Sequence, residues 1–249
     1  MTYTSLQVTH EAGVAELTLV SKRGALGPVF WQELPAALSE IKEARAVLLR
    51  SGEDFSVGLD LVQTAPLLSA SRERPEGFFE LLSPMQEAIE ALANVPVPVV
   101  TAVNGWCIGA GLELILACDV RVCSHEARFS LPEVKLGIVS DLGGLGRLPH
   151  LVGEGWARRL ALTGEAIGAR RAERIGLVSE VLESPDATTQ HARALTHTLS
   201  ELPATTLRGI KRAMNARLEA GIQVHYRETA SWNALFLDAS RVALSLKKS

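Results

Sequence analysis

The chain of 249 residues predicts an α/β core followed by an all-helical tail, and three observations carry that expectation. Short apolar strands alternate with helix-like stretches through the first two thirds. A continuous β-branched run, Val99–Val103, has the pattern of a strand covered on both faces. Past about Asp186 the strand signal stops, and Ala187–Glu201, Ala204–Glu219 and His225–Leu246 all carry helical periodicity. Residues 1–186 are therefore expected to form the core, and residues 187–249 a helical segment.

Around Gly13, Leu6–Thr9 and Val14–Val20 alternate apolar and polar positions, the period of a strand pair joined by a tight turn. Pro28 stands where a first helical residue would, and Phe30, Leu34, Leu38 and Ile41 follow at helical spacing. Ala46–Leu49 is a short apolar strand ending in Arg50-Ser51-Gly52. A long helix is expected from about Glu76 to Asn94, broken near Pro84 and terminated by Val95-Pro96-Val97-Pro98. Val99–Val103 ends at Asn104-Gly105, Gly109–Cys118 reads as a buried helix, and Val120–Cys123 and Arg128–Ser130 read as two short strands.

Composition narrows the function classes. Lys plus Arg number 25 against 28 Asp plus Glu, a formal net charge of −3, so no broad basic face for nucleic acid is expected. Hydrophobic residues at 47% and charged residues at 21% describe an ordered globular protein. No apolar stretch approaches the roughly 18 to 20 residues of a membrane span, and MTYTSLQVTHEAG lacks the pattern of a signal peptide. A cytosolic location without a membrane partner is the expectation. Cys107, Cys118 and Cys123 form no C-x-x-C pair, so neither a disulfide framework nor a metal site is expected, and the three should be buried fillers.

Three segments could carry chemistry. Gly105-Trp106-Cys107-Ile108-Gly109-Ala110-Gly111 lies between a buried strand and a helix, where glycines let backbone N–H groups aim at a ligand oxygen. Close helix–sheet packing is the alternative use of the same glycines. Similar glycine spacing occurs in nucleotide-binding dehydrogenases. There it belongs to the first strand–helix unit, and a Tyr-x-x-x-Lys is absent here, since Tyr3 and Tyr226 are followed by Gln7 and Ala230. Glu113 is the only ionisable residue between Val99 and Cys118; it is either a first-turn partner of the helix dipole or a functional carboxylate whose pKa burial raises. Glu133 and Asp141 add two acids in one later loop, each an exposed loop charge if taken alone. Asp54-Phe55-Ser56-Val57-Gly58-Leu59-Asp60-Leu61 offers a second set of N–H donors, or a turn capped by Asp60. Two such loops together are what stabilises an enolate or oxyanion.

The ordered set Phe55-Ser-Val-Gly58-Leu-Asp60-Leu61, Asn104-Gly-Trp-Cys-Ile-Gly109-Ala-Gly111-Leu-Glu113-Leu, Cys118-Asp119 and Pro132-Glu133 with Gly137 resembles the enoyl-CoA hydratase/isomerase (crotonase) family. The resemblance continues through Leu162-Thr163-Gly164 and Ala172-Glu173-Arg174-Ile175-Gly176-Leu177-Val178. It implies a crotonase-like α/β fold of repeated β-β-α units with a C-terminal helical segment that builds trimers, commonly paired into hexamers. It places an oxyanion hole on the N–H groups of Leu59 and Ala110, holding the thioester oxygen of an acyl-CoA. Glu113 and Glu133 match the two catalytic glutamates of the hydratase members. By the same resemblance CoA would run past Arg23, Ala25 and Leu26 and along Ser56, Gly58 and Asp60, with Leu61 and Gly109 in the substrate-contacting set. No cofactor or metal is implied beyond the CoA of the substrate.

Two stretches depart from the hydratase wording. Ser21-Lys22-Arg23-Gly24-Ala25-Leu26-Gly27 matches the CoA-contacting segment only loosely, and Ser140-Asp141 stands where hydratases carry Pro-Gly. An acid at Asp141 resembles the dienoyl-CoA isomerases of the family, which usually carry Asp at the position of Glu113. The first expectation is a 2-enoyl-CoA hydratase, the second a 3,5-dienoyl-CoA to 2,4-dienoyl-CoA isomerase using Asp141 as a further catalytic acid. The rival from another class is a non-catalytic CoA-binding subunit.

Overall fold

The computed structural model describes residues 2–71 and 75–236. A six-stranded sheet forms the backbone of the molecule, built from β1 (Leu6–Glu11), β2 (Val14–Leu19), β3 (Ala46–Arg50), β4 (Val99–Val103), β6 (Val120–Ser124) and β9 (Glu180–Leu182), in that spatial order. The β1–β2 hairpin is antiparallel, with Leu6 opposite Leu19 and Glu11 opposite Val14; every later pairing in this sheet is parallel. A smaller sheet joins β5 (Trp106–Ile108), β7 (Arg128–Ser130) and β8 (Ile167–Gly168). The helices are α1 (Pro28–Glu40), α2 (Leu61–Ser71), α3 (Pro75–Asn94), α4 (Ala110–Ile115), α5 (Glu133–Leu136), α6 (Gly144–Thr163), α7 (Ala169–Arg174), α8 (Pro185–Glu201) and α9 (Ala204–Phe236).

Side-chain alternation explains why β3 and β4 are apolar throughout. Val47, Leu49, Val99 and Val103 point into the main core with α1 and α3 residues such as Phe30, Leu34, Ile89 and Leu92. Leu48, Val100 and Ala102 point the other way and meet Val122 and Ala192, the last on α8. A strand buried on both faces cannot alternate in polarity. α8, the first helix of the expected helical segment, closes this second face of the sheet.

Three expectations about the helices are corrected. The helix through Pro84 does not break: α3 is continuous from Pro75 to Asn94. The buried helix after Gly109 ends at Ile115, earlier than Cys118. Ala204–Glu219 and the start of His225–Leu246 are one helix of 33 residues, about 50 Å long at 1.5 Å per residue; the part beyond residue 236 lies outside the described residues. Lys211 pins this helix to the sheet. Its Nζ lies 2.7 Å from Asp119 Oδ2, which also accepts the Val99 N–H at 2.7 Å. Cys107, Cys118 and Cys123 are free and buried, as expected of apolar fillers.

Candidate active site

The loops that follow β3 and β4 meet where the sequence motifs place them. After β3 the chain runs to Gly58, whose carbonyl accepts the Leu26 N–H at 2.9 Å, while the Asp60 N–H donates to Leu26 O at 3.0 Å. These two bonds clamp Leu59 between them. After β4, the β5 strand pairs with the same loop through Ser56 N–H to Trp106 O and Ile108 N–H to Ser56 O, both 2.9 Å. Gly58 and Gly109 adopt φ of 89° and 53°, a region that L side chains rarely enter. A Cβ on Gly58 would lie 3.0 Å from Ile108 O and 3.8 Å from Ala110 N, so the two loops touch here. Among the described residues, no protein acceptor is found for the N–H of Leu59 or of Ala110. Ala110 opens α4, where a first-turn N–H has no intrahelical partner.

Glu113, Glu133 and Asp141 lie close enough together for their charges to act on one another. Glu113, on the first turn of α4, is 2% exposed, and its Oε1 accepts the Leu142 N–H at 3.1 Å and the Gly144 N–H at 2.9 Å. Burial pushes its pKa well above the usual carboxylate range, and the charges of Glu133 and Asp141 push it further. Glu133 opens α5. Burial raises it to about 7, with Asp141 adding to the rise and Ser140 opposing it by a hydrogen bond. Its Oε2 is shut off from solvent and accepts no hydrogen bond among the described residues. A Cβ on Gly109 would lie 2.6 Å from Glu133 Oε1, so this carboxylate stands directly beside the Ala110 donor.

Asp141 occupies a different position. With Leu59, Thr64, Leu68, Phe78, Leu82, Met85 and Ile138 it lines an apolar cavity of about 40 Å³ between α2, α3 and the loop after α5. Burial raises its pKa to about 6, opposed by a hydrogen bond from Asn233. The glutamate at 133 thus lies against Gly109, next to the Ala110 donor, and the aspartate lines the cavity with Leu59.

Arg23 is exposed, and its Nε lies 2.6 Å from Asp54 Oδ2; Ala25 is half-buried beside it. The Ser56 side chain braces the loop. It is fully enclosed, donating from its hydroxyl to Gly24 O at 2.6 Å and accepting the Gly58 N–H at 3.1 Å. Asp60 is the cap of α2, its two oxygens taken by the Gln63 N–H at 3.1 Å and by Gln63 Nε2 at 2.6 Å. Leu26 is fully buried in the core and Leu61 packs against it, so both support the loop from behind.

Sequence reasoning missed the groups brought in from distant elements. Gln86 on α3 donates to Asp141 O at 2.7 Å, and Asn233 on α9 donates to Asp141 Oδ2 at 2.8 Å. Thr64, 1% exposed, lines the same cavity, and its hydroxyl has no hydrogen-bond partner among the described residues. Behind the Glu113 clamp, Arg147 donates to Tyr226 Oη at 3.2 Å and pairs with Glu90, which also accepts from Tyr226 at 2.7 Å. Only a lone polar residue on an apolar helix face would have marked these positions, and nothing local says what such a residue meets.

The chain is similar to known proteins over most of its length. The enoyl-CoA hydratase/isomerase family model matches residues 9–239. A mitochondrial Δ(3,5)-Δ(2,4)-dienoyl-CoA isomerase of Dictyostelium discoideum is 32% identical over 246 residues, covering 94% of this chain and 84% of that one. A Mycobacterium bovis protein named "Probable enoyl-CoA hydratase" is 32% identical over 228 residues, covering 89% and 85%. An enoyl-CoA hydratase/isomerase crystal structure from Xanthobacter autotrophicus Py2 superposes with a TM-score of 0.89 at 26% identity, over 99% of this chain and 94% of that one. With its two N–H donors, its buried acids and a family match over most of its length, the chain belongs to the enoyl-CoA hydratase/isomerase family.

Proposed function

We propose that the chain isomerises 3,5-dienoyl-CoA to 2,4-dienoyl-CoA. The observation that carries this reading is the division of labour between two acids: Glu133 stands beside the N–H pair, and Asp141 lines the cavity beyond it. With the thioester oxygen held by the Leu59 and Ala110 N–H groups, Glu133 removes a proton from C2. The electron pair spreads along the diene as a dienolate, and Asp141 returns a proton at C6; the double bonds end at C2–C3 and C4–C5 with no other reactant consumed. With Glu133 near 7 and Asp141 near 6, the pair carries one proton close to neutrality, held mostly on Glu133, and the reactive form is the minor arrangement with that proton on Asp141. Oxyanion-hole stabilisation costs no reorganisation when its donors are fixed, which the clamped Leu59 and the α4 start provide. Relatives named as isomerases support the choice.

A second reading, hydration of 2-enoyl-CoA, is favoured by Glu113 and Glu133. The pair sense each other electrostatically, and two such carboxylates could bracket a water. Assay of the purified chain with one 3,5-dienoyl-CoA and one 2-enoyl-CoA separates the two. Isomerisation should dominate, with a bell-shaped pH profile set by the pair: activity falls below about 6 as the pair takes up a second proton and above about 7 as it loses its last one. Hydration without isomerisation would establish the second reading instead.

The same proposal includes assembly as a homotrimer or a hexamer of two trimers. Val224, Trp232, Leu235 and Phe236 on α9 stay exposed in the single chain, Leu235 at 75%, and a second copy would cover them. Among the described residues, no helix is long and apolar enough to cross a membrane.

A further inference from the structure

Asn233 lies far from every motif, on α9, and is 1% exposed. Its side-chain amide pairs with the main chain of Val139 in both directions: Oδ1 accepts the Val139 N–H at 2.9 Å, and Nδ2 donates to Val139 O at 2.8 Å. The second Nδ2 hydrogen goes to Asp141 Oδ2 at 2.8 Å. Both donors of the amide are thereby used. The Val139 N–H requires an oxygen opposite it, so the orientation of the amide is set by the protein. Asparagine suits this position because leucine can make none of the three bonds, and aspartate cannot donate when ionised.

From these contacts we infer that Asn233 is a positioning residue, through which the C-terminal helix aims the Asp141 carboxylate into the apolar cavity and sets the balance between isomerisation and hydration. The inference rests on the proposed reaction. The groups facing Asp141 leave Asn233 as the side chain that can orient its carboxylate. Gln86, from α3, binds the Asp141 backbone carbonyl and leaves the carboxylate free. Glu113 on α4 and Glu133 on α5 are acids, and they repel its charge. Arg147, on α6, donates to Glu90 and Tyr226. The cavity wall from Leu59, Phe78, Leu82 and Met85 is apolar, and the Thr64 hydroxyl in the same wall bonds to nothing among the described residues. Without the amide, Asp141 faces burial and two like charges with no side-chain donor, so its proton is held more tightly and its rotamer is unguided.

The test uses the full chain with Asn233→Leu and the near-isosteric Asn233→Asp. The Asp141 carboxyl is followed by NMR in protein labelled with 13C at aspartate Cγ, its signal assigned by its loss in Asp141→Asn. The Asp141 midpoint should rise by roughly one pH unit in both variants. Isomerisation kcat should drop about 10- to 100-fold with KM within about threefold, its acidic limb should move to higher pH, and the isomerisation-to-hydration ratio should fall at least about tenfold. An unshifted Asp141 midpoint, or equal loss of both reactions, would overturn the inference, the latter marking simple loosening of the loop. A wild type that turns over neither substrate would sink the proposed reaction, whereas the titration would still judge the Asn233–Asp141 link.

Discussion

At the scale of the residue, the site is three carboxylates held where carboxylates are costly. Glu113 offsets part of that cost with two backbone N–H bonds, Asp141 with the Asn233 amide, and Glu133 leaves one oxygen unpartnered. An acceptor buried without a donor is a poor structural feature and a good base. Glu133→Gln should therefore cost about 10² to 10⁴ in turnover of either substrate while acyl-CoA binding persists, and retained turnover in a folded variant would show that the base lies elsewhere. Asp141→Asn separates the reactions: isomerisation should vanish while hydration stays within about tenfold, a barrier change of about 1.4 kcal/mol. Stability supplies an independent check. Asp141 is raised from 3.8 to about 6, so the folded state binds the proton more tightly than the unfolded chain. Stability is then lost as pH rises between those values and stays lost above them. Asp141→Asn should stabilise the fold by roughly 1 to 3 kcal/mol at pH 8 and by little at pH 4, read from denaturant midpoints.

At the scale of the element, what could be read in advance follows from how local each signal is. β4 and the start of α4 were legible because a β-branched run and a glycine turn are properties of adjacent residues. Glu113 was legible because a single charge in an apolar helix stands out. α2 was not, since Leu61–Ser71 contains Pro66 and lacks a clear apolar stripe; it is fixed by the Asp60 cap and by packing on α3. α6 was hidden for a related reason: Pro149 and Gly153, the latter at φ 75°, interrupt its pattern. Asn233 and Gln86 were invisible because their partners are loop atoms brought near only by the packing of α9 and α3. The oxyanion-hole assignment is tested at this scale. Ala110 is the first residue of α4, where proline is tolerated because its missing N–H has no helical partner. Ala110→Pro should therefore fold, confirmed by circular dichroism, and still lose about 10² to 10³ in kcat through the deleted donor. Normal turnover in that variant would defeat the assignment.

At the scale of the whole molecule, α9 divides its surface between two duties. One face is internal: Ile222, Tyr226, Ala230 and Asn233 are buried against α3, α6 and the loop that carries Asp141. The other face carries Val224, Trp232, Leu235 and Phe236, all exposed, with the Trp232 and Phe236 rings 4.7 Å apart. This changes what a truncation would report. Removing everything from Gly221 onward takes away Asn233 and Tyr226 as well as the exposed face, so loss of activity would say nothing about assembly. A substitution on the outer face is cleaner. Trp232, 58% exposed, contributes little to the core, and a charge in its place should leave the isolated fold intact while burying a charge wherever a partner helix covers it. Trp232→Glu is expected to lower the sedimenting mass from a trimer or hexamer toward a monomer at micromolar concentration, with an unchanged circular dichroism spectrum. If subunit contact also steadies the end of α9, the split species should lose isomerisation before hydration, because Asn233 adjoins the substituted residue and reaches Asp141. A wild-type chain that sediments as a monomer at all concentrations would refute the assembly and leave the outer face of α9 without this explanation.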